Sequence, residues 1–125
     1  MKCDNIVRDK SISFGVRIIR FAKFLQDKRQ YTLADQILRA GTSIGANIAE
    51  SECAITKKDF LNKLYIALKE AAETLYWLEL LYRSDIIDEI QYDSLNGDAV
   101  ELKKLLVAIT KTTSEKLRHK RSLNK

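Results

Sequence analysis

One stretch in the first half of the chain, residues 36–50 (QILRAGTSIGANIAE), most constrains the fold. A leucine and four isoleucines in and around it recur at helical spacing and define one apolar face: Leu33, Ile37, Ile44, Ile48 and Ile55. Gly41, Gly45 and Ala49 lie four residues apart on an adjoining line, where they leave room for the backbone of another helix. Because an interior glycine costs a helix about 1 kcal/mol relative to alanine, two of them indicate close packing that compensates for the loss. The stretch therefore predicts a tightly packed inner helix.

The composition predicts a single all-helical domain. The 125 residues include no proline and four glycines, and 46% of them are apolar against 31% charged. A chain of this length can bury a proper hydrophobic core, and no run shows the clean alternation of a strand. Charged residues interrupt every apolar run, so we expect no membrane span, and the first residues lack the apolar core of a signal peptide. We therefore expect a cytoplasmic protein, in which the isolated Cys3 and Cys53 stay reduced.

Apolar spacing and polar breaks predict the first two helices. The first is expected to begin within residues 3–11 and to end near Lys28. Its main apolar stripe consists of Phe14, Ile18, Phe21 and Leu25. A second, adjoining apolar line consists of Ile12, Val16 and Ile19. Thr32 is the predicted N-cap of the second helix, with Asp35 at the capping-box position, and this helix is expected to run to about Ala54.

Thr56 and Asp59 repeat the capping pattern and open the third helix. Its apolar residues follow the spacing of a left-handed bundle: Phe60, Leu64, Leu68, Ala71, Leu75, Leu78 and Tyr82. The third helix is expected to end at Ser84, and the fourth to open in the acidic stretch after Ile87, with a kink or false start at residues 96–97. The sequence thus predicts an all-α fold, an antiparallel up-and-down four-helix bundle over residues 1–113.

The charges are unevenly placed along the chain. Residues 1–110 carry 16 basic and 16 acidic side chains, whereas residues 111–125 carry six basic side chains and Glu115, which accounts for the net charge of +5. Inside the balanced part, residues 1–39 carry nine basic and four acidic groups, and residues 85–101 carry six acids and no base. Past Thr113 the apolar spacing stops, so residues 114–125 are predicted to form a frayed, solvated basic tail.

The run QILRAGTSIGANIAES, followed by KKDFLNKLYIALKEAAETLYWLELL, resembles the small four-helix-bundle proteins of the 23S rRNA intervening-sequence (S23-like) family. The positions that carry the likeness are Gln36, Arg39, Ser43, Ile44, Asn47, Ile48, Glu50, Asp59 and Phe60. An alanine-rich helix with glutamates follows, and the likeness covers about residues 5 to 113. The chain is also similar to the accessory variability determinant proteins of diversity-generating retroelements.

This resemblance implies a four-helix protomer that assembles into a ring-like homopentamer. It also implies a link to nucleic acid, because some members are encoded within rRNA insertions and the retroelement proteins assist a reverse transcriptase through basic surfaces. No catalytic residues are attached to the family, and many members have no established function. The resemblance therefore transfers architecture better than activity.

The residues themselves favour a protein that is not an enzyme and needs no metal or cofactor. The sequence has no glycine-rich phosphate loop, no Cys-x-x-Cys pair and no Glu-x-x-His pair for a di-metal site. Glu70 and Glu73 are carboxylates three residues apart without a histidine partner. Ser43, Asn47 and Glu50 lack an activated nucleophile, so we interpret them as structural. The hypothesis is that Asn47 and Glu50 pin the second helix against a neighbouring helix.

Two features predict partners. The apolar faces of the first and third helices are wider than one core contact needs, which favours a homo-oligomer. Eight basic residues are the candidate contacts to RNA or DNA: Lys10, Arg17, Arg20, Lys23, Lys116, Arg118, Lys120 and Arg121. Phosphate binding needs only a density of positive charge, although a solvated charged face is the competing interpretation. No interleaved aromatics mark a base-reading surface. The alternative function is a protein-interaction scaffold whose ring docks a partner such as a reverse transcriptase.

Overall fold

The structure, a computed structural model, describes residues 5–123 as an antiparallel up-and-down bundle of four helices. The helices are α1 (Asn5–Asp27), α2 (Tyr31–Ser51), α3 (Lys57–Arg83) and α4 (Glu89–Leu123). Each helix packs along the next one in the chain, whereas α1 and α4, which close the bundle, touch least. The predicted fold class is confirmed. None of the four helices combines the length and the apolar character that crossing a membrane requires.

The predicted apolar stripes form the core. All four positions of the main α1 stripe are buried, and so are the positions that face them on α2 and α3: Ile37, Ile44, Ile48, Phe60, Leu64, Ala71 and Leu78. Full burial of such a side chain contributes about 1.5–3 kcal/mol, so these positions hold the bundle together. Ile55, predicted to share the α2 stripe, lies beyond the end of that helix and is exposed.

The small residues of α2 allow α1 to approach closely, as the glycine spacing predicts. A Cβ atom on Gly41 would lie 2.8 Å from both γ carbons of Ile18, which is fully buried. A Cβ atom on Gly45 would lie 3.2 Å from the hydroxyl oxygen of Ser11. Ala49, the third member of the line, is exposed. The groove left by Gly41 and Gly45 is therefore filled by α1.

The turn between α1 and α2 corrects the predicted N-cap at Thr32. Arg29 has a left-handed backbone (φ 62°), and the amides of Arg29 and Gln30 donate to the carbonyls of Gln26 and Leu25 at 2.8 and 2.9 Å. These two bonds are the Schellman motif that ends a helix. The amide of Ala34 already donates to Gln30, so α2 begins at Tyr31 and Thr32 lies inside its first turn.

Side-chain caps fix the starts of α3 and α4, whereas α2 ends in a backbone turn. Thr56 accepts a hydrogen bond from the amide of Asp59 at 3.1 Å, which confirms the predicted cap of α3. α2 ends at Ser51, three residues before the predicted end, and the next amides donate three residues back in a tighter turn. Asp88 and Gln91 form a reciprocal capping box at the start of α4, because each side chain accepts from the backbone amide of the other. α4 continues through residues 96–97 without a break.

The end of α4 differs from the predicted frayed tail. Residues 111–123 continue the helix, although their charged side chains are solvated as expected. Leu117 is half-buried, and Thr110, just before this segment, is buried, so packing supports the first of these turns. Lys120 and Arg121 lie in the last turn, where the helix macrodipole favours cations. The last two residues of the predicted tail, 124–125, lie outside the described part of the chain.

The two ends of the bundle differ in net charge, although Lys28 and Arg29 of the α1–α2 turn lie at the more acidic end. The antiparallel arrangement brings the start of α3 and the end of α4, both rich in basic residues, to one end. The turn between α3 and α4 lies at the other end. Its exposed acidic residues are Asp85, Asp88, Glu89 and Asp93.

Candidate functional site

A basic groove lies where the α2–α3 loop, the first turn of α3 and the last turns of α4 meet. Its volume is about 540 Å³, and it is lined by Ile55, Thr56, Lys57, Lys58, Leu117, Lys120 and Arg121. Two features of the sequence produce this groove: the Thr56 cap fixes where α3 begins, and α4 is long enough to reach the α2–α3 loop, where Leu117 and Ile55 line the same groove. We call this feature the basic groove.

The four cations of the basic groove are exposed, and none of them forms an ion pair with another described residue. Lys57 and Lys58 open α3, at the helix end where the macrodipole favours acidic side chains. Two lysines at this position therefore carry an unfavourable local interaction, and Lys120 and Arg121 add to the repulsion. A polyanion would relieve it, since each phosphate brings a negative charge to this positive surface.

The candidate residues on α1 divide into two pairs. Lys10 binds Glu101 of α4 at 2.6 Å, and Arg17 binds Asp98 at 2.5 Å and the hydroxyl oxygen of Ser94 at 2.8 Å. The hydrogen bond and the charge of Glu101 raise the pKa of Lys10, so this ammonium stays charged but partly neutralised. These two ion pairs bridge the sparsely packed seam between α1 and α4.

The second pair of α1 candidates is free of such contacts. Arg20 and Lys23 are exposed and form no ion pair within residues 5–123. Arg20 also lines a groove of about 320 Å³ together with Phe21 and Phe24. Of the tail candidates, Lys120 and Arg121 line the basic groove, while Lys116 and Arg118 are exposed on α4 without lining it. The sequence does not predict Lys57 and Lys58 as contacts, because only the antiparallel topology brings them beside the α4 end.

On α2, the residues that carry the family resemblance contact α3 at two positions, Arg39 and Glu50. Arg39 donates to Glu70 at 3.1 Å and also binds Glu73, which accepts a further hydrogen bond from the indole of Trp77 at 3.1 Å. Glu50 binds Lys63 of α3 at 3.3 Å. Polar contacts therefore join the two helices at both ends of the motif, and the α3 carboxylates serve as partners of Arg39.

The middle of the motif corrects the hypothesis about Asn47. Its amide nitrogen donates to the carbonyl of Ser43 at 2.8 Å, and the Ser43 hydroxyl donates to the carbonyl of Arg39 at 2.6 Å. Both bonds stay within α2, so Asn47 does not pin α2 against another helix of the same chain, whereas Glu50 does reach α3. Gln36 is half-buried on the same helix, and Phe60 is buried in the core. Within the described chain, no cluster of three or more acidic, histidine or cysteine side chains has the geometry of a metal site.

A second exposed feature is the apolar outer line of α1. Ile12, Val16 and Ile19 recur at helical spacing, and their side chains are exposed by 53%, 42% and 45%. On α3, Tyr65 and Tyr76 are exposed by 45% and 53%. The sequence predicts apolar faces on α1 and α3 that are wider than the core requires. These residues belong to those faces and are in contact with water in the protomer.

Comparisons with known proteins agree with this architecture. The model of the family described as 23S rRNA-intervening sequence protein matches residues 3–108. A solved structure, that of a protein with unknown function from the S23 ribosomal protein family of Bacteroides thetaiotaomicron VPI-5482, is similar at 55% sequence identity with a TM-score of 0.83. The similarity covers 86% of this chain and 96% of that one. No curated protein matches the sequence.

Proposed function

The chain belongs to the 23S rRNA-intervening sequence protein family, and we propose that it is a non-enzymatic homo-oligomer that binds nucleic acid electrostatically in the cytoplasm. One observation carries this proposal: four exposed cations line one groove without any acidic partner among the described residues. The name of the family, which refers to rRNA, supports a nucleic acid as the polyanion. Arg20 and Lys23 on α1 extend the contact along the side of the bundle.

The binding mode that fits this groove is contact with the phosphate backbone. Each phosphate that a lysine or arginine neutralises releases counterions, so affinity falls with salt concentration. The groove offers no aromatic side chain on which a base would stack, and its cations lie on two different helices. Sequence-independent binding of structured RNA or of a DNA duplex is therefore the expected activity.

A titration of labelled duplex DNA at several salt concentrations tests this activity. Each engaged groove, with its four cations, is expected to contribute about −3 to −4 to the slope of log Kobs against log salt for B-DNA. Fluorescence anisotropy gives Kobs at each concentration. Lack of binding at low salt would refute the proposed function. Binding that persists unchanged at high salt would instead favour the alternative, in which the assembly docks a protein partner such as a reverse transcriptase through apolar contacts.

Self-association is the second part of the proposal, and the outer line of α1 supports it. Ile12, Val16 and Ile19 present three large apolar side chains to water, and a second copy of the chain would cover them. The resemblance described above implies a pentamer. Such an assembly multiplies the basic grooves, so that one polyanion contacts several of them at once.

Replacing Val16 with aspartate is expected to separate the assembly into protomers. The charged carboxylate would have to be buried without a partner in an apolar contact, which is strongly unfavourable. Light scattering coupled to size-exclusion chromatography should give a multiple of 14.4 kDa for the unmodified chain and 14.4 kDa for the variant. Ile90→Asp is the matched control, because Ile90 is exposed by 81% and lies in the first turn of α4, away from this line. A monomeric unmodified chain would contradict the proposal.

A further inference from the structure

Ile55 stands out among the large apolar side chains of the described residues, because it is exposed by 92%. It lies in the short loop between α2 and α3, where the amide of the preceding Ala54 donates to Ser51 at 3.1 Å. The loop is thus held in place by its backbone while the isoleucine projects from it. A single exposed apolar residue needs no explanation by itself, so what matters is its surroundings.

The surroundings of Ile55 are cationic. It lines the basic groove together with Leu117, and the other lining residues include Lys57, Lys58, Lys120 and Arg121. Leu117 is half-buried, so the groove combines an apolar pair with four positive charges on two helices. A ligand that satisfies all of these groups must carry several negative charges and must also expose apolar surface between them.

A perfect duplex does not have this combination. Its bases are stacked and paired, so only their edges are accessible in the grooves, and their apolar faces are covered. An unpaired nucleotide does have it, because its base exposes an apolar face while the phosphates on either side remain charged.

We propose that the basic groove binds nucleic acid at unpaired nucleotides, in a loop, a bulge or a single-stranded end, with Ile55 against the base and the surrounding cations on the flanking phosphates. This inference rests on the proposed function and narrows it from nucleic acid in general to a class of structure. In this arrangement, Ile55 distinguishes unpaired nucleotides from a duplex, and the cations supply most of the affinity.

The experiment compares two labelled RNAs of the same stem sequence, a hairpin with an unpaired loop and a blunt-ended duplex, by anisotropy at fixed salt. The full chain should bind the hairpin about tenfold more tightly, as expected when most of an isoleucine side chain is removed from water. Ile55→Ser should reduce this preference to less than about twofold, with the affinity for the blunt duplex unchanged. The salt slope of the variant should also be unchanged, because no charge has been removed.

Ile90→Ser is the matched control for this substitution. Ile90 is nearly as exposed and lies at the acidic end of the bundle, so its replacement should leave the preference intact.

The test also distinguishes failure of nucleic-acid binding in general from failure of the preference for unpaired nucleotides. If neither RNA binds, the proposed function fails and this inference fails with it. If both RNAs bind equally well, the basic groove remains a phosphate site and the inference is overturned. If Ile55→Ser alters the mass of the assembly and not the RNA preference, Ile55 is a protein contact, which also overturns it.

Discussion

Valine in place of Gly41 is expected to lower the free energy of unfolding by about 3 kcal/mol, the upper part of the range for overpacked cores. A Cβ atom at this position would lie 2.8 Å from two carbons of Ile18, and Ile18 is fully buried, so its side chain must shift against its core neighbours. α1 must then move away from α2, and the contacts between them weaken. A urea titration at fixed protein concentration, followed by the fluorescence of the single tryptophan, Trp77, measures the change.

Two other glycines provide the control for this prediction. A Cβ atom on Gly15 or on Gly97 would meet no atom within 4 Å, and both residues lie inside helices. Gly15→Ala and Gly97→Ala are therefore expected to raise the free energy of unfolding by up to about 1 kcal/mol through helix propensity. The change in the free energy of unfolding should therefore have opposite signs at Gly41 and at the two control glycines, which attributes the loss at Gly41 to close packing. An equal response at all three positions would show that Gly41 is not a packing position.

The second large effect concerns binding. Replacing Lys57, Lys58, Lys120 and Arg121 together with glutamine is expected to lower the affinity for a nucleic-acid duplex by at least about 100-fold at low salt and to remove most of the salt slope. The reason is that these four side chains are the unpaired cations of the basic groove. All four are exposed, so the fold should tolerate the change, which circular dichroism checks.

The matched control removes the same number of positive charges elsewhere. Lys69, Arg83, Lys103 and Lys104 are exposed and do not line the basic groove, so their replacement with glutamine should change affinity far less. Similar losses in both variants would mean that net charge alone drives binding. A third variant, Arg20→Gln with Lys23→Gln, tests the side of α1. If it lost more affinity than the groove variant, the interface would lie on α1 instead.

The core was predictable because helical periodicity is a local property of the sequence. The stripe containing Phe14 and Ile18 is buried as its spacing indicates. The α3 seam is buried at four positions and half-buried against the core at Leu68, Leu75 and Tyr82. The turns were less predictable. Thr32 and Thr56 look alike in the sequence, yet only Thr56 caps a helix, because the left-handed conformation of Arg29 ends α1 and places the N-cap of α2 at Gln30, two residues before Thr32.

The candidate site was only partly predictable, because it depends on contacts between distant segments. The basic character of Lys120 and Arg121 is visible in the sequence, but their neighbours Lys57 and Lys58 are about sixty residues away and are brought close by topology. The ion pairs of two α1 candidates were unpredictable for the same reason. Nothing near Lys10 or Arg17 in the sequence indicates that Glu101 and Asp98 neutralise them across the α1–α4 seam.

The placement of basic and acidic residues at opposite ends makes the protomer a permanent electric dipole along the bundle axis. A polyanion therefore exerts a torque on the approaching molecule and turns the end that contains Lys57 and Arg121 towards itself before any contact forms. The α3–α4 turn, with Asp85 and Asp88, is at the same time directed away. Orientation during diffusion thus raises the fraction of productive collisions, and dissolved salt, which screens the field, slows the encounter itself.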